Sequence, residues 1–368
     1  MLTISTGNNA VATAVREAKP VVVAAYPITP QTEIVEQIAN FVANGSMKSQ
    51  YIPVESEHSA MAACIGASIT GVRTFTATSS HGLLYMHEMV NWAAGARLPI
   101  VMANANRALG PGWNVWADHT DSLQARDTGW LQVYVASVQE VYDATLMAFR
   151  IAEDRRVYLP VMVNLDGFAL SHITQQLEEV RAGDFIPPLV LDHKIDTENP
   201  GGYGCMTASV DYFRIRYDIE RSMRDSVQVI RETEKEFARR FGRSYSWTDD
   251  YRCEDAEVLV LSMGTLGKEA EVAVDILRKE GIKAGSMRVR WFRPFPECDI
   301  RDRELVVIDR DYSFGFGGIL ACSIRAKTGK ECYSVIAGLG GQEVTYHDIA
   351  SFVRERKMGT EKWFGVKA

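Results

Sequence analysis

Cysteine is scarce and scattered: six residues in 368 (Cys64, Cys205, Cys253, Cys298, Cys322 and Cys332), no two of them two to four positions apart. That spacing argues against a zinc knuckle, an iron–sulfur cluster or a CxxC redox pair within the chain. The seven histidines are equally dispersed; His87-Glu88 begins an HExxH pattern, but Asn91 stands where its second histidine is needed. GxSxG, GxxxxGK[ST] and GxGxxG are all missing. No sign of charge dominates, since 40 Lys and Arg stand against 47 Asp and Glu for a net charge of −7, so nothing electrostatic points to nucleic acid or an anionic membrane as partner. Long apolar runs are missing too. Val21–Tyr26 and Val258–Leu261 are strand-length, far below the roughly 20 residues of a bilayer span. Met1–Asn9 shows no charged region leading into an apolar one. The expectation is a soluble, cytoplasmic protein.

What is present is an ordinary globular composition, 46% hydrophobic and 24% charged, at a length that suits two domains better than one core. Residues 1–170 alternate strand and helix. Strands are expected at Val21–Tyr26, Tyr51–Val54, Thr74–Thr78, Pro99–Ala105, Val133–Ala136 and Val157–Val163. Helices are expected at Pro30–Asn44, where Ile34, Ile38 and Phe41 share a face, and at His58–Thr70, Leu84–Ala96 and Val141–Asp154. Such alternation implies a parallel sheet covered on both faces, with ligands at the C-terminal strand ends. Residues 171–205 are polar, contain Pro187-Pro188 and Gly201-Gly202, and read as an arm or long connection. Tyr212–Arg240 reads as a solvated, charged amphipathic helix. After the charged turn Trp247–Asp255, a smaller α/β series follows: strands Glu257–Ser262, Gly285–Arg290, Leu305–Asp309 and Cys332–Ala337, with helices Lys268–Glu280 and about Gly318–Lys327. The resulting division is residues 1–248 and 249–368.

Four segments carry unusual chemistry. Tyr26-Pro27-Ile28-Thr29-Pro30-Gln31 lies where the first strand meets its helix; Thr29 can hold a carboxylate there or simply cap the helix. Glu55-Ser56-Glu57-His58 precedes a helix of Ala, Gly and Ser, where a poorly solvated carboxylate could share a proton with a ligand nitrogen. Stabilisation of the helix N-terminus is the ordinary alternative for either acid. Ser79-Ser80-His81-Gly82 offers a histidine that faces a ligand or is hydrogen-bonded within its loop. Asn106-Arg107-Ala108 precedes Gly110-Pro111-Gly112-Trp113, then Asp118-His119-Thr120-Asp121. Arg107 can grip a substrate carboxylate or pair with Asp118 or Asp121.

Taken in order, these segments resemble the alpha subunit of the multisubunit 2-oxoacid:ferredoxin oxidoreductases, pyruvate synthase type. YPITPQTE, ESEHSAM, FTATSSHGL, NRALGPGW, DHTD and Asp166-Gly167-Phe168 resemble that family's pyrimidine-binding domain of the thiamine-diphosphate-binding fold. Ser262-Met263-Gly264-Thr265, Arg290-Trp291-Phe292-Arg293-Pro294-Phe295-Pro296 and Gly338-Leu339-Gly340-Gly341 resemble its transketolase C-terminal-like α/β domain.

The resemblance implies oxidative decarboxylation of a 2-oxoacid to acyl-CoA with reduction of ferredoxin, or the reverse, using thiamine diphosphate and coenzyme A. It implies that Glu57 hydrogen-bonds the aminopyrimidine and favours the tautomer that deprotonates the thiazolium carbon. Pro27, Ile28, Ser80, His81 and Gly82 then belong to the cofactor side, and Thr29 and Arg107 hold the substrate's carbonyl and carboxylate. Trp113 and Val115 fall near the pocket. This chain has no Gly-Asp-Gly element for Mg²⁺ and diphosphate and no cluster cysteines. The resemblance assigns both to partners: a beta subunit with the diphosphate half and a [4Fe–4S] cluster, and gamma and delta subunits completing the path to ferredoxin. No metal ligand is expected here. Pyruvate is the first expectation for substrate, then branched-chain or aryl oxoacids. A transketolase-like or dehydrogenase E1 component, and a non-catalytic scaffold subunit, are the rival readings.

Overall fold

The computed structural model describes residues 2–300 and 302–366. Two α/β sheets organise it. In the first, β2 (Val22–Ala25), β3 (Gln50–Pro53), β4 (Thr74–Thr78), β5 (Val101–Asn106), β6 (Leu131–Tyr134) and β7 (Val161–Asp166) run parallel in the order β6-β7-β5-β4-β2-β3. Their side chains alternate between two apolar layers, as the period of two requires. Val23, Phe75, Val101, Val133 and Val163 face one core with α1 (Gly7–Ala18), α2 (Thr32–Ala43) and α7 (Val138–Ala152). Ala24, Met102 and Met162 face the other, with α3 (Glu57–Ser68), α4 (Ser80–Tyr85) and α5 (His87–Gly95). The short α6 (Thr120–Gln124) sits between β5 and β6 in the chain.

The second sheet has the order β15-β14-β13-β10-β11-β9, from β9 (Thr248–Tyr251), β10 (Val258–Ser262), β11 (Ala284–Val289), β13 (Glu304–Asp309), β14 (Tyr333–Ile336) and β15 (Glu361–Trp363). Only β9 runs antiparallel to its neighbour. Helices α9 (Leu266–Lys279), α10 (Ile319–Thr328) and α11 (Tyr346–Glu355) cover it.

Several elements depart from the sequence reading. The segment expected as an irregular arm contains β8 (Thr174–Glu178), which pairs antiparallel with β1 (Leu2–Thr6). The charged turn expected at 247–255 contains β9. The helix expected over Leu84–Ala96 is two helices that meet at Met86, and the first begins four residues earlier, at Ser80. The long charged helix α8 (Ser209–Phe241) is not merely solvated: Val229, Ile230 and Phe237 enter the first core and Glu234 is buried. Its arginines and glutamates mask that narrow apolar stripe in any composition count.

The largest departure concerns Trp291–Arg293. This stretch follows β11 in the chain, yet as β12 it pairs antiparallel with β6 and becomes the edge of the first sheet. Arg288 and Arg290, just before it, are buried on Glu140, and Arg290 also reaches Glu234. Burial alone would raise the Glu140 carboxyl, but the two guanidiniums hold it below the usual carboxylate range.

Candidate active site

Parallel strands deliver their C-terminal ends to one edge, and four loops converge there. The loop after β2 carries Tyr26, Pro27 and Thr29, all exposed, and the half-buried Ile28. It is clamped from three sides. Gln31, fully buried, donates from Nε2 to the carbonyls of Tyr26 (3.0 Å) and Ala77 (2.8 Å). Asn8 donates to the Pro30 carbonyl (2.8 Å), and Arg107 Nη1 to the Thr29 carbonyl (2.6 Å). The helix begins only at Thr32 and Gln31 makes no side-chain cap, so Thr29 is not the N-cap that the ordinary alternative required.

The two acids before α3 separate cleanly. Ser56 is the N-cap, its hydroxyl accepting from Ser59 N–H (3.2 Å). Glu55 lies outside, exposed and hydrogen-bonded by the Ser59 hydroxyl. Glu57 turns inward and is 8% exposed. A Cβ on Gly82 would stand 2.7 Å from Glu57 Oε1, so only glycine lets the carboxylate lie this close to α4. No protein donor among the described residues pairs with that carboxylate. A buried carboxylate without a donor is costly. It fits a ligand that brings an N–H, which is what an aminopyrimidine ring presents.

Ser80 is fully buried with φ +49°; its N–H donates to Asp121 (3.0 Å) and its hydroxyl to the Ala108 carbonyl (2.7 Å). Asp121 gathers donors from Ser80, Asn104, Asn106, Arg107 and Ser122. Burial pushes its carboxyl up to about 6 against those donors. Among the described residues the Arg107 guanidinium makes no ion pair with Asp118 or Asp121; Asp121 accepts from the Arg107 backbone N–H (3.1 Å), and the guanidinium donates to the Thr29 carbonyl instead.

The Arg107 side chain, 5% exposed, faces Thr29, His81 and Trp113. Burial lowers its pKa from the usual arginine value, opposed by Asp121 and Glu57. Trp113, half exposed, lies over the guanidinium with its ring centre 4.7 Å away, and Val115 is half-buried in the same loop. That loop is held by the other sheet. Asn114 donates to the Gly340 carbonyl, Gly340 N–H to Asp118, and Gly341 N–H to the Ala117 carbonyl. A Cβ on Gly341, at φ +74°, would meet Trp116 Cβ at 2.2 Å.

A second cluster joins the sheets at the same edge. Asp166, ending β7, pairs with His119 Nε2 (2.6 Å) and Arg310 Nη1 (2.8 Å) and accepts from Thr265 N–H (2.8 Å). Burial would raise its carboxyl, but Arg310 and His119 bring it far below the carboxylate range. His119 and Asp118 are thus tied into the domain contact. Sequence reasoning missed Gln31 and Arg310. Among the described residues, no group of three or more His, Cys, Asp or Glu side chains could hold a metal ion, and no helix is long and apolar enough to cross a membrane.

Residues 13–235 match the family model described as pyruvate flavodoxin/ferredoxin oxidoreductase, thiamine diphosphate-binding, and residues 256–349 match pyruvate:ferredoxin oxidoreductase core domain II. The chain is 46% identical to a ketoisovalerate oxidoreductase subunit VorA of Pyrococcus horikoshii, over 99% of this chain and 98% of that one. It is 44% identical to a pyruvate synthase subunit PorA of Methanothermobacter thermautotrophicus, over 100% and 99%. In fold it is similar to a 2-oxoglutarate:ferredoxin oxidoreductase from Magnetococcus marinus, with a TM-score of 0.74 and 21% identity over 96% of this chain and 65% of that one. A transketolase variant from Pichia stipitis has the same fold at a TM-score of 0.54 and 13% identity, over 96% of this chain and 46% of that one.

Proposed function

We propose a function from one premise: this chain belongs to the pyruvate flavodoxin/ferredoxin oxidoreductase family and is an alpha subunit of a 2-oxoacid:ferredoxin oxidoreductase. The proposed reaction converts pyruvate, CoA and two oxidised ferredoxins to acetyl-CoA, CO₂, a proton and two reduced ferredoxins, or runs in reverse. The observation that carries the reading is Glu57, buried against Gly82 with no protein donor on its carboxylate among the described residues. Bound thiamine diphosphate would supply a nucleophilic carbon and a sink for the electrons left when CO₂ departs. Glu57 accepts a hydrogen bond from the pyrimidine ring and so sets its protonation. Arg107 holds the substrate carboxylate by charge-assisted hydrogen bonds. The Thr29 hydroxyl donates to the 2-oxo oxygen as it gains negative charge.

Partner subunits carry the rest: a beta subunit with Mg²⁺, the diphosphate half and a [4Fe–4S] cluster, and gamma and delta subunits leading to ferredoxin. The division of the chain at residues 248 and 249 belongs to the same proposal, with β12 reaching back into the first sheet. Pyruvate is the first reading, supported by the pyruvate synthase relative. A branched-chain oxoacid is the second reading, supported by the ketoisovalerate relative.

The test is CoA-dependent reduction of a viologen dye by the purified complex, comparing kcat/KM for pyruvate and 2-oxoisovalerate. Turnover with pyruvate is expected, and dye reduction by neither acid would refute the reaction. The chain by itself should be inactive with added thiamine diphosphate and Mg²⁺.

A further inference from the structure

His81 receives two contacts that cannot both be hydrogen bonds. Gly110 N–H points at Nε2 (2.8 Å), and Arg107 Nη2 stands 3.1 Å from Nδ1. Both outside groups are donors and neither can accept. A neutral imidazole has one lone pair, so it can satisfy one of them and must turn an N–H toward the other. The Gly110 contact is the shorter, and it comes from a backbone group anchored in its loop. Nε2 is therefore the acceptor and Nδ1 carries the hydrogen. That leaves Nδ1–H and a guanidinium N–H facing each other.

Three observations show what would resolve the conflict. Arg107 Nη1 is already committed to the Thr29 carbonyl, so Nη2 is the terminal nitrogen still lacking an acceptor. Arg107 Nε is buried without a partner, so the guanidinium as a whole is short of acceptors. The Trp113 ring lies over the guanidinium and meets the His81 ring edge-on at 5.8 Å, which keeps both groups in place. Two donors held side by side define a seat for an anionic oxygen.

We propose that His81 is a second substrate-binding residue, whose Nδ1–H donates to the same carboxylate oxygen of the 2-oxo acid that Arg107 Nη2 binds. This rests on the 2-oxoacid reading above and moves His81 from the cofactor side to the substrate side. Through its Nε2 contact with Gly110, the ring also ties the tautomer that donates to the position of the Leu109–Trp116 loop.

The experiment uses the assembled complex. In His81→Gln the side-chain amide occupies the place of Nε2 and can keep the Gly110 contact, but it loses the donor. In His81→Asn the amide occupies the place of Nδ1 and can supply an N–H there. His81→Gln should raise KM for the oxoacid about ten- to a hundred-fold, the loss of one charged hydrogen bond. Its kcat should stay within a few-fold, and thiamine diphosphate Kd should be unchanged. His81→Asn should recover most of the loss. Equal effects of the two substitutions, an unchanged KM, or failure of both variants to assemble would each overturn the assignment. A wild-type complex that oxidises no 2-oxo acid would instead refute the underlying reading.

Discussion

Glu55 and Glu57 stand two positions apart, yet one is exposed and the other is largely buried beside Gly82. The separation follows from the Ser56 cap, which ends the extended segment and turns the next residue into the first helical turn. Glu57→Gln should leave the complex assembled and lower turnover by several orders of magnitude, whereas Glu55→Gln should change it less than about two-fold, because exposed surface substitutions rarely perturb their surroundings. Steady-state dye reduction by both variants makes the comparison; a normal rate in Glu57→Gln would remove it from catalysis. Asp121 adds a pH dependence. Its carboxyl is raised to about 6 by burial. Protonation below that value puts an O–H where the Ser80 and Arg107 backbone N–H groups point, loosening both. The sign for stability is opposite: a raised folded-state pKa contributes stability that is full below the unfolded value and lost as pH rises through about 6. kcat/KM should therefore fall below about pH 6 while far-UV circular dichroism stays native. A profile flat to about pH 5 would show that Asp121 remains ionised.

Among the elements, the loop after β2 is the one whose shape is borrowed from its neighbours. It lies outside regular structure, and its carbonyls are satisfied by Gln31 at its own end, Asn8 of α1 and Arg107 just past β5. Arg107 is bonded to the main chain of Thr29, so the two proposed substrate contacts are mechanically one unit. Arg107→Ala should raise KM for the oxoacid strongly and Thr29→Val should mainly lower kcat, with cofactor Kd unmoved in both. The double variant should be less than additive, with an interaction energy of roughly 0.5–3 kcal/mol, because removing Arg107 already frees Thr29. Strict additivity in a double-mutant cycle would mean that the two act separately.

For the whole molecule, the contact between the sheets is built from charge as much as from apolar surface. Glu140 on α7 answers both Arg288 and Arg290, all three nearly inaccessible to water. Asp166 similarly answers His119 and Arg310. Removing the shared carboxylate leaves the two buried cations with only Glu234 and the half-exposed Asp249. Glu140→Gln should cost about 3–5 kcal/mol of stability, seen as a lower denaturation midpoint of the complex. Asp249→Asn, which removes the half-exposed second partner of Arg288, should cost less than about 1 kcal/mol. Equal midpoints in the two variants would show that the buried cluster contributes nothing special.

The linear sequence by itself determined the alternation of β2 to β7 with their helices, because that pattern rests on local periodicity of side chains. Thr74–Thr78 matches residue for residue, and most other edges fall within a few positions. The motifs also pointed to the loops that converge at the strand ends, since glycine, proline and isolated polar residues at those ends are local signals. Tertiary structure alone decided what periodicity cannot encode. It placed Trp291–Arg293 at the edge of the first sheet, since a three-residue strand has no period of its own and is anchored by the buried ion pairs of Arg288 and Arg290 just before it. It paired β8 with β1 from far along the chain, through backbone hydrogen bonds that are blind to side-chain identity. It buried Glu57 while leaving Glu55 exposed and turned the Arg107 guanidinium toward Thr29 and His81, because both depend on which partner lies opposite in space.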